Sequence, residues 1–434
     1  MIKITYLGAG SGFAPVLSKD IFQIPGLDKG ELCLVDIDPE RLKLSTKATK
    51  IVNEKLKTKW KITALTNREE VMNDSDFIIN TIEVSGVQTV KHDYEIPLKY
   101  GVDQCIGDTV GPGGVMKALR TIPPWLEILK DAERLCPRAY VLNYTNPMSM
   151  MMLATFRASK MKSVGLCHSV QGTSMDLARY LELPYEELEW KCAGINHMAW
   201  FTELTHKGKD MYPTLKKKVR ENKALYERDP VKFELMLHFG YFVTESSGHM
   251  SEYVPYFRKR SELIDKYCRE GYLGGRGFYA KNWPKWRQDL DEKRKRIIAG
   301  QEEPDLRKSV EYAAEIVEGI VFNRFKVIYG NVLNTGLITN LPQNEVVEVA
   351  CLIDRNGIRP TFFGELPPQL AALCRSNMAV YDMTVRAIMN HSYEMAEQAI
   401  MLDPLTAAVC SLEEIRNMFA ELYKAEKDYI PKLE

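Results

Sequence analysis

Two short segments place candidate metal ligands just beyond apolar runs. Cys167-His168 follows the run 163–166, and Asn196-His197 follows Ala193-Gly194-Ile195. A thiolate and an imidazole suit a borderline divalent cation, with substrate oxygens filling the remaining positions. On residue type alone they serve equally well as a buried thiol and a hydrogen-bonded core histidine. Asp108 sits in Gly107-Asp108-Thr109-Val110-Gly111-Pro112-Gly113-Gly114. That much glycine around one carboxylate fits a loop shaped around a ligand, or a surface turn. The segment 241–256 gathers acidic, hydroxyl and aromatic groups, as either a site wall or an amphipathic surface segment would.

The N-terminus offers a different chemistry. An apolar run over 2–7 leads into Gly8-Ala9-Gly10-Ser11-Gly12. A Gly-x-Gly turn directly after a strand lets backbone approach a pyrophosphate at a helix N-terminus. Gly8, Gly10 and Ser11 are the candidate contacts, although Phe13 stands where the fingerprint has its third glycine. Asp36 ends the next apolar run, 31–35. A carboxylate there accepts from ribose hydroxyls and repels a 2′-phosphate, which favours NAD over NADP. The plain alternatives are a structural strand-to-helix turn and a strand-end Asp before Asp38-Pro39.

These groups need rigid elements beneath them. Short apolar runs at 2–7, 31–35, 77–82, 139–142 and 163–166 read as buried strands. Helical periodicity covers 41–54 and 118–134, the second expected to break early at Pro123-Pro124. Strands alternating with helices predict an α/β fold with a parallel, doubly wound sheet. Beyond about residue 190 the character changes. Charged helical segments are expected over 207–236 and 286–319, and 346–352 and 361–363 read as strands of a second unit. The charged stretch 281–308 is expected to pack weakly, as a mobile loop and helix.

Length and balance narrow the function classes. The chain has 434 residues, enough for two domains, with 58 basic and 58 acidic side chains. Lacking a basic surplus, it does not read as a nucleic-acid or anionic-membrane binder. No apolar run reaches membrane-spanning length and the N-terminus lacks a signal-peptide pattern, so a cytoplasmic protein with reduced thiols is expected.

Taken together, the stretches 8–11, 35–39, 107–114, 118–123, 143–147, 165–173, 192–198, 241–247, 334–342 and 346–352 resemble the family 4 glycoside hydrolases. Within that family they are most similar to the α-galactosidase (melibiase) branch. Cys167-His168-Ser169-Val170-Gln171-Gly172-Thr173 is the most specific phrase. The resemblance implies a lactate/malate dehydrogenase-like architecture. A Rossmann-type NAD-binding domain would occupy 1–190, and a mixed α+β domain for substrate, metal and oligomerisation 191–434. It implies a homodimer or homotetramer using NAD and Mn2+, or another divalent metal.

The implied activity is hydrolysis of α-glycosides, α-galactosides such as melibiose first, by oxidation, elimination, addition and reduction. Uronide or 6-phospho-glycoside hydrolysis and 2-hydroxy-acid oxidation are the alternatives. By this resemblance Cys167 and His197 are metal ligands and Asn146 a substrate contact. His168 stands where some relatives carry an aspartate, so the general acid is His168, with Asp108 in reserve and also a substrate contact. Tyr253 matches the tyrosine base, with Tyr256, Glu252 and Glu245 as alternatives. Arg120, Lys117 and Arg258 are the cations that folding could gather into a 6-phosphate pocket.

Overall fold

The computed structural model describes all 434 residues. Its frame is one sheet of 13 strands. In chain order these are β1 (Lys3–Leu7), β2 (Glu31–Val35), β3 (Lys61–Leu65), β4 (Phe77–Asn80), β5 (Tyr140–Asn143), β6 (Lys162–Leu166), β7 (Leu188–Ile195), β8 (Met198–His206), β9 (Lys209–Asp210), β10 (Phe242–Val243), β11 (Lys326–Leu333), β12 (Val346–Asp354) and β13 (Gly357–Pro360).

The first half of the sheet is parallel, in the order β3-β2-β1-β4-β5-β6. Its inner strands read as largely apolar runs because helices cover both faces, while the edge strand β3 has no buried residue. The order reverses between β1 and β4, and doubly wound sheets bind ligands at the carboxyl ends of their strands beside such a reversal. The second half continues the same sheet antiparallel. β11 pairs with β6 through Gly330↔Leu166 and Asn331↔Gly165, then β12, β7, β8 and β10 follow. A largely apolar core of 93 buried residues runs beneath both halves.

Several expectations change. The helix expected to start at Ala118 spans Gly111–Leu135 without a break at the prolines. Pro123 is half-buried and Pro124 exposed, and the helix forgoes the two backbone hydrogen bonds their missing N–H groups would have made. The glycines at 113 and 114 are the helix's first turn, not a loop. A Cβ on Gly113 would lie 2.3 Å from the Gly107 carbonyl oxygen, and one on Gly114 2.5 Å from the Thr109 carbonyl carbon. The stretch 281–308 is mostly an ordered helix, Phe278–Ile298. Residues 207–210 lie in the β8–β9 turn and β9, before the helices Tyr212–Glu221 and Pro230–Phe239. Residues 361–363 are not a strand; the chain reverses earlier, at β13. No helix is long and apolar enough to cross a membrane.

Candidate active site

The site lies where the parallel strands end. After β1 the chain turns at Gly8, whose φ is +76° and whose Cβ position lies 2.5 Å from the Thr81 carbonyl oxygen, so only glycine fits. Ser11 Oγ lies 2.8 Å from Thr81 Oγ1. The following helix, Phe13–Phe22, has no side-chain cap, which leaves its first N–H groups for an anion. Asp36 Oδ2 accepts from the Gly10 N–H at 2.7 Å and Oδ1 from the Asp38 N–H at 2.9 Å. This fixes the carboxylate at the rim of the turn with lone pairs to spare for ribose hydroxyls. The donor geometry and the close backbone approach fit a dinucleotide.

Three potential metal ligands converge further along the same edge. Cys167 follows β6, His197 lies in the two-residue turn between β7 and β8, and Glu245 comes two residues after β10. Their ligand atoms all lie within 4.8 Å of one another. His197 Nε2 is 3.8 Å from Glu245 Oε2. His197 and Glu245 both have left-handed backbone, φ +64° and +67°. Such strain in non-glycine residues persists where a site requires it. Burial pushes the His197 imidazole down to about 4, so it is neutral and able to ligate. Burial pushes Glu245 up, but the neighbouring His249, His197 and His168 outweigh it and hold the carboxyl down to about 2. Burial, with Glu245 and Glu348 nearby, pushes the Cys167 thiol well up. A soft thiolate, a neutral imidazole and a carboxylate together suit a borderline divalent metal. Both amide atoms of Asn196 are buried and without a protein partner, which leaves them for a ligand or water.

The other anticipated residues fall around this trio in different ways. Asp108 is buried, 3.0 Å from Lys117 Nζ and 2.7 Å from Thr109 Oγ1. Burial opposes its charge, but Lys117 prevails and keeps the carboxyl far below its usual range. Asp108 is thus an acceptor at neutral pH, not the reserve proton donor. His168 is half-exposed, with Nδ1 3.1 Å from Glu311 Oε1, and that bond raises its pKa. Tyr253 is fully buried with its hydroxyl 3.1 Å from His197 Nδ1, on the ring atom away from Glu245. Tyr256 packs on Phe239 and Phe257 instead. Glu252 is buried and accepts the N–H groups of Cys105, Ile106 and Gly107, so it shapes the Asp108 loop and has no free oxygen for a base. Asn146 is half-buried just beyond β5.

The three cations do not form a phosphate pocket. Arg120 is bidentate to Asp93 and also reaches Glu426. Lys117 holds Asp108 and lies 3.8 Å from Glu83. Arg258 binds Asp103 and the Gly274 carbonyl.

Sequence reasoning gave no place to His249 or Glu311 and treated Glu245 only as a base. His249 Nδ1 lies 3.4 Å from Glu245 Oε1 and 2.8 Å from Ser246 Oγ, with its ring edge-on to His197. The Glu-Ser-Ser-Gly-His spacing was the available signal, since Ser246 caps the short helix that brings His249 back over Glu245.

Beneath the trio, Glu348 of β12 is wholly buried. One oxygen takes Asn331 Nδ2 at 3.3 Å and the other has no partner. Burial pushes its pKa from 4.5 up to about 8. The folded chain therefore holds this proton more tightly than the unfolded chain. Stability should be intact below the ordinary value and fall as pH rises towards 8, by at most about 1.4 kcal/mol per pH unit. Glu348→Gln, which mimics the protonated form, is expected to match wild type at pH 5 and exceed it at pH 8. Thermal unfolding of the metal-free proteins measures this; parallel pH profiles would contradict it.

Comparison with known proteins agrees with this geometry. Residues 3–183 match the model of the family 4 glycosyl hydrolases, and residues 192–406 the model of the C-terminal domain of that family. An α-galactosidase of Bacillus subtilis (strain 168) is 41% identical over 443 residues, covering 100% of both chains. An α-galactosidase of Rhizobium meliloti (strain 1021) is 33% identical, covering 99% of this chain and 89% of its own. A 6-phospho-α-glucosidase from gut microorganisms, crystallised with NAD and Mn2+, superposes with a TM-score of 0.84 at 22% identity, covering 100% of both chains. The Rossmann-type parallel sheet and its antiparallel continuation are thus shared along the full length. With matching family models over both halves and a full-length relative at 41% identity, the chain belongs to family 4 of the glycosyl hydrolases.

Proposed function

We propose that this glycosyl hydrolase cleaves unphosphorylated α-galactosides, using NAD and a divalent metal. The observation that carries the reading is the Cys167–His197–Glu245 trio, with Cys167 just beyond the carboxyl end of β6, in the same parallel sheet whose β1 ends in the glycine turn. A hydrolase that worked by two carboxylates alone would need neither. When bound, NAD+ supplies a reversible hydride acceptor for sugar C3, and the cation supplies Lewis-acid polarisation of the adjoining sugar oxygens.

The chain's residues then have separate tasks. Gly10 N–H holds Asp36 for the ribose, and the open N-terminus of the helix Phe13–Phe22 receives the pyrophosphate. His168, whose pKa is raised by its bond to Glu311, donates a proton to the departing oxygen. Asp108, kept ionised by Lys117, accepts a sugar hydroxyl, and Asn146 contacts the sugar. The engagement of Arg120, Lys117 and Arg258 supports a sugar without a 6-phosphate, and the two α-galactosidase relatives support galactose.

Hydrolysis of melibiose and of an aryl α-galactoside is expected to need added NAD+ and Mn2+, to stop after chelator dialysis, and to produce no net NADH. Full activity of chelated, nucleotide-free protein would refute the cofactor reading. Preference for a 6-phospho-glycoside or a galacturonide would refute the substrate.

Tyr253 discriminates two roles. As the group that holds His197 Nδ1, its loss in Tyr253→Phe weakens Mn2+ binding about 10–100-fold and leaves turnover at saturating metal near wild type. As the base, the same change lowers kcat and leaves the metal affinity alone. Buried on the back of the imidazole, Tyr253 is expected to give the first result. Metal titration beside kinetics separates them.

A further inference from the structure

The helix Phe278–Ile298 belongs to the second half of the chain but packs on the helices Pro39–Lys55 and Val87–Lys99 of the first. Its one fully buried residue is an arginine, Arg294. Arg294 Nη1 donates to the Gly10 carbonyl at 2.9 Å, and Nη2 donates to the Ser11 carbonyl. Asp291, one turn back, lies 3.3 Å from Nη1 and pairs also with Arg41, whose Cβ adjoins Gly10. The Arg294 Nε is buried without a protein partner.

Burying a guanidinium is costly, so an apolar side chain would be the simpler way to pack this helix. What the arginine does that no apolar group can is fix two carbonyls of the glycine turn. The peptide unit is planar and trans, so a carbonyl fixed on one side fixes the next residue's N–H on the other. Holding the Ser11 carbonyl therefore aims the Gly12 N–H away from Arg294, at the open start of the helix Phe13–Phe22. That is the position a pyrophosphate oxygen requires. The buried positive charge beneath the turn acts in the same direction.

The same helix face carries Arg287, two turns from Arg294. Arg287 lies 4.0 Å from Glu83, which neighbours Lys117, the partner of Asp108. The helix thus spans from the nucleotide turn to the substrate loop.

We propose that Arg294 is a cofactor-positioning residue: from the C-terminal half it sets the peptide orientations of the turn at Gly10 and Ser11 that receive the dinucleotide's pyrophosphate. The inference rests on the NAD reading above. Its test is calorimetric titration of full-length protein with NAD+, and separately with Mn2+. Arg294→Met is expected to weaken NAD+ about 10–100-fold, the loss of charge-assisted hydrogen bonds that hold the turn. KM for NAD+ should rise in step, with kcat recovering at saturating NAD+ and Mn2+ affinity within twofold of wild type. Arg294→Lys, which keeps the charge but not the fork, should fall between. Lys293→Ala, on the exposed side of the same helix, should bind NAD+ as wild type does.

A folded Arg294→Met protein that binds NAD+ within twofold of wild type overturns the inference alone. A parallel loss of Mn2+ affinity overturns it too, by marking general damage. Should Arg294→Met not fold, Arg294→Lys decides by the same criteria. A wild-type chain that binds no NAD+ overturns the cofactor reading and this inference with it.

Discussion

Cys167→Ser and Glu245→Gln are each expected to abolish stoichiometric Mn2+ binding and to lower kcat/KM for an aryl α-galactoside about 1,000-fold, the equivalent of several kcal/mol of Lewis-acid stabilisation. In the proposed metal site Cys167 is the one soft ligand, and a serine hydroxyl does not ionise to replace it. Glu245 supplies the carboxylate, and glutamine keeps its shape but removes its charge. Because Glu245 is also flanked by His249, Glu245→Gln removes the anion that those imidazoles face. The fold should survive both changes, since neither residue bridges core elements. Metal content and circular dichroism, read beside kinetics, decide the matter. A Glu245→Gln protein that keeps full metal content would restrict the ligands to Cys167 and His197.

A large effect on stability is expected at Arg120. Its guanidinium is nearly inaccessible, bidentate to Asp93, with Glu426 of the C-terminal helix Leu412–Glu426 on its other side. Burial and the proximity of Asp93 keep the Glu426 carboxyl protonated, well above the usual range. Arg120→Met leaves Asp93 as a buried charge without a partner, at a cost of about 3–5 kcal/mol. Arg120→Met with Asp93→Leu should recover much of that loss, because the orphaned charge goes with its partner. Denaturant unfolding of the three proteins measures the coupling. Equal stabilities for Arg120→Met and wild type would mean that the triad contributes nothing.

Five of the six strands in the parallel half were readable because each is a short, largely apolar run between turn residues; the edge strand β3, with no buried residue, was not. β1, β2, β4, β5 and β6 fall within two residues of expectation. Gly8 and Gly10 stood out for the same reason, since local spacing alone defines a strand-to-helix turn. The antiparallel half was harder. β11 joins β6, and the β7–β8 hairpin joins β12, only through partners far away in sequence, and β7 alternates exposed and buried positions before becoming wholly buried at Cys192. The convergence of Glu245 with Cys167 depends on β10 pairing with β8, which no local pattern announces. Tyr253 was matched to the tyrosine base of the resembled family, with Glu252 among the alternatives to it. Only packing reveals that one faces the back of an imidazole and the other is saturated by three backbone donors. Arg294 was hidden in a charged stretch that resembles any solvated helix.

The strand order also governs when this protein becomes whole during synthesis. Cys167 follows β6 and His197 sits at the tip of β7–β8, yet β11 and β12 lie between them in the sheet. A nascent chain that has made both residues still lacks the strands that join them until Asp354 has left the ribosome. At ordinary elongation speeds that interval is roughly 10–30 s. Throughout it the parallel half can be folded while β6 presents an open edge, a template for pairing with another copy. Expression at lower temperature, or with holdase chaperones in excess, should therefore raise the soluble yield, and chains truncated between residues 206 and 325 should aggregate.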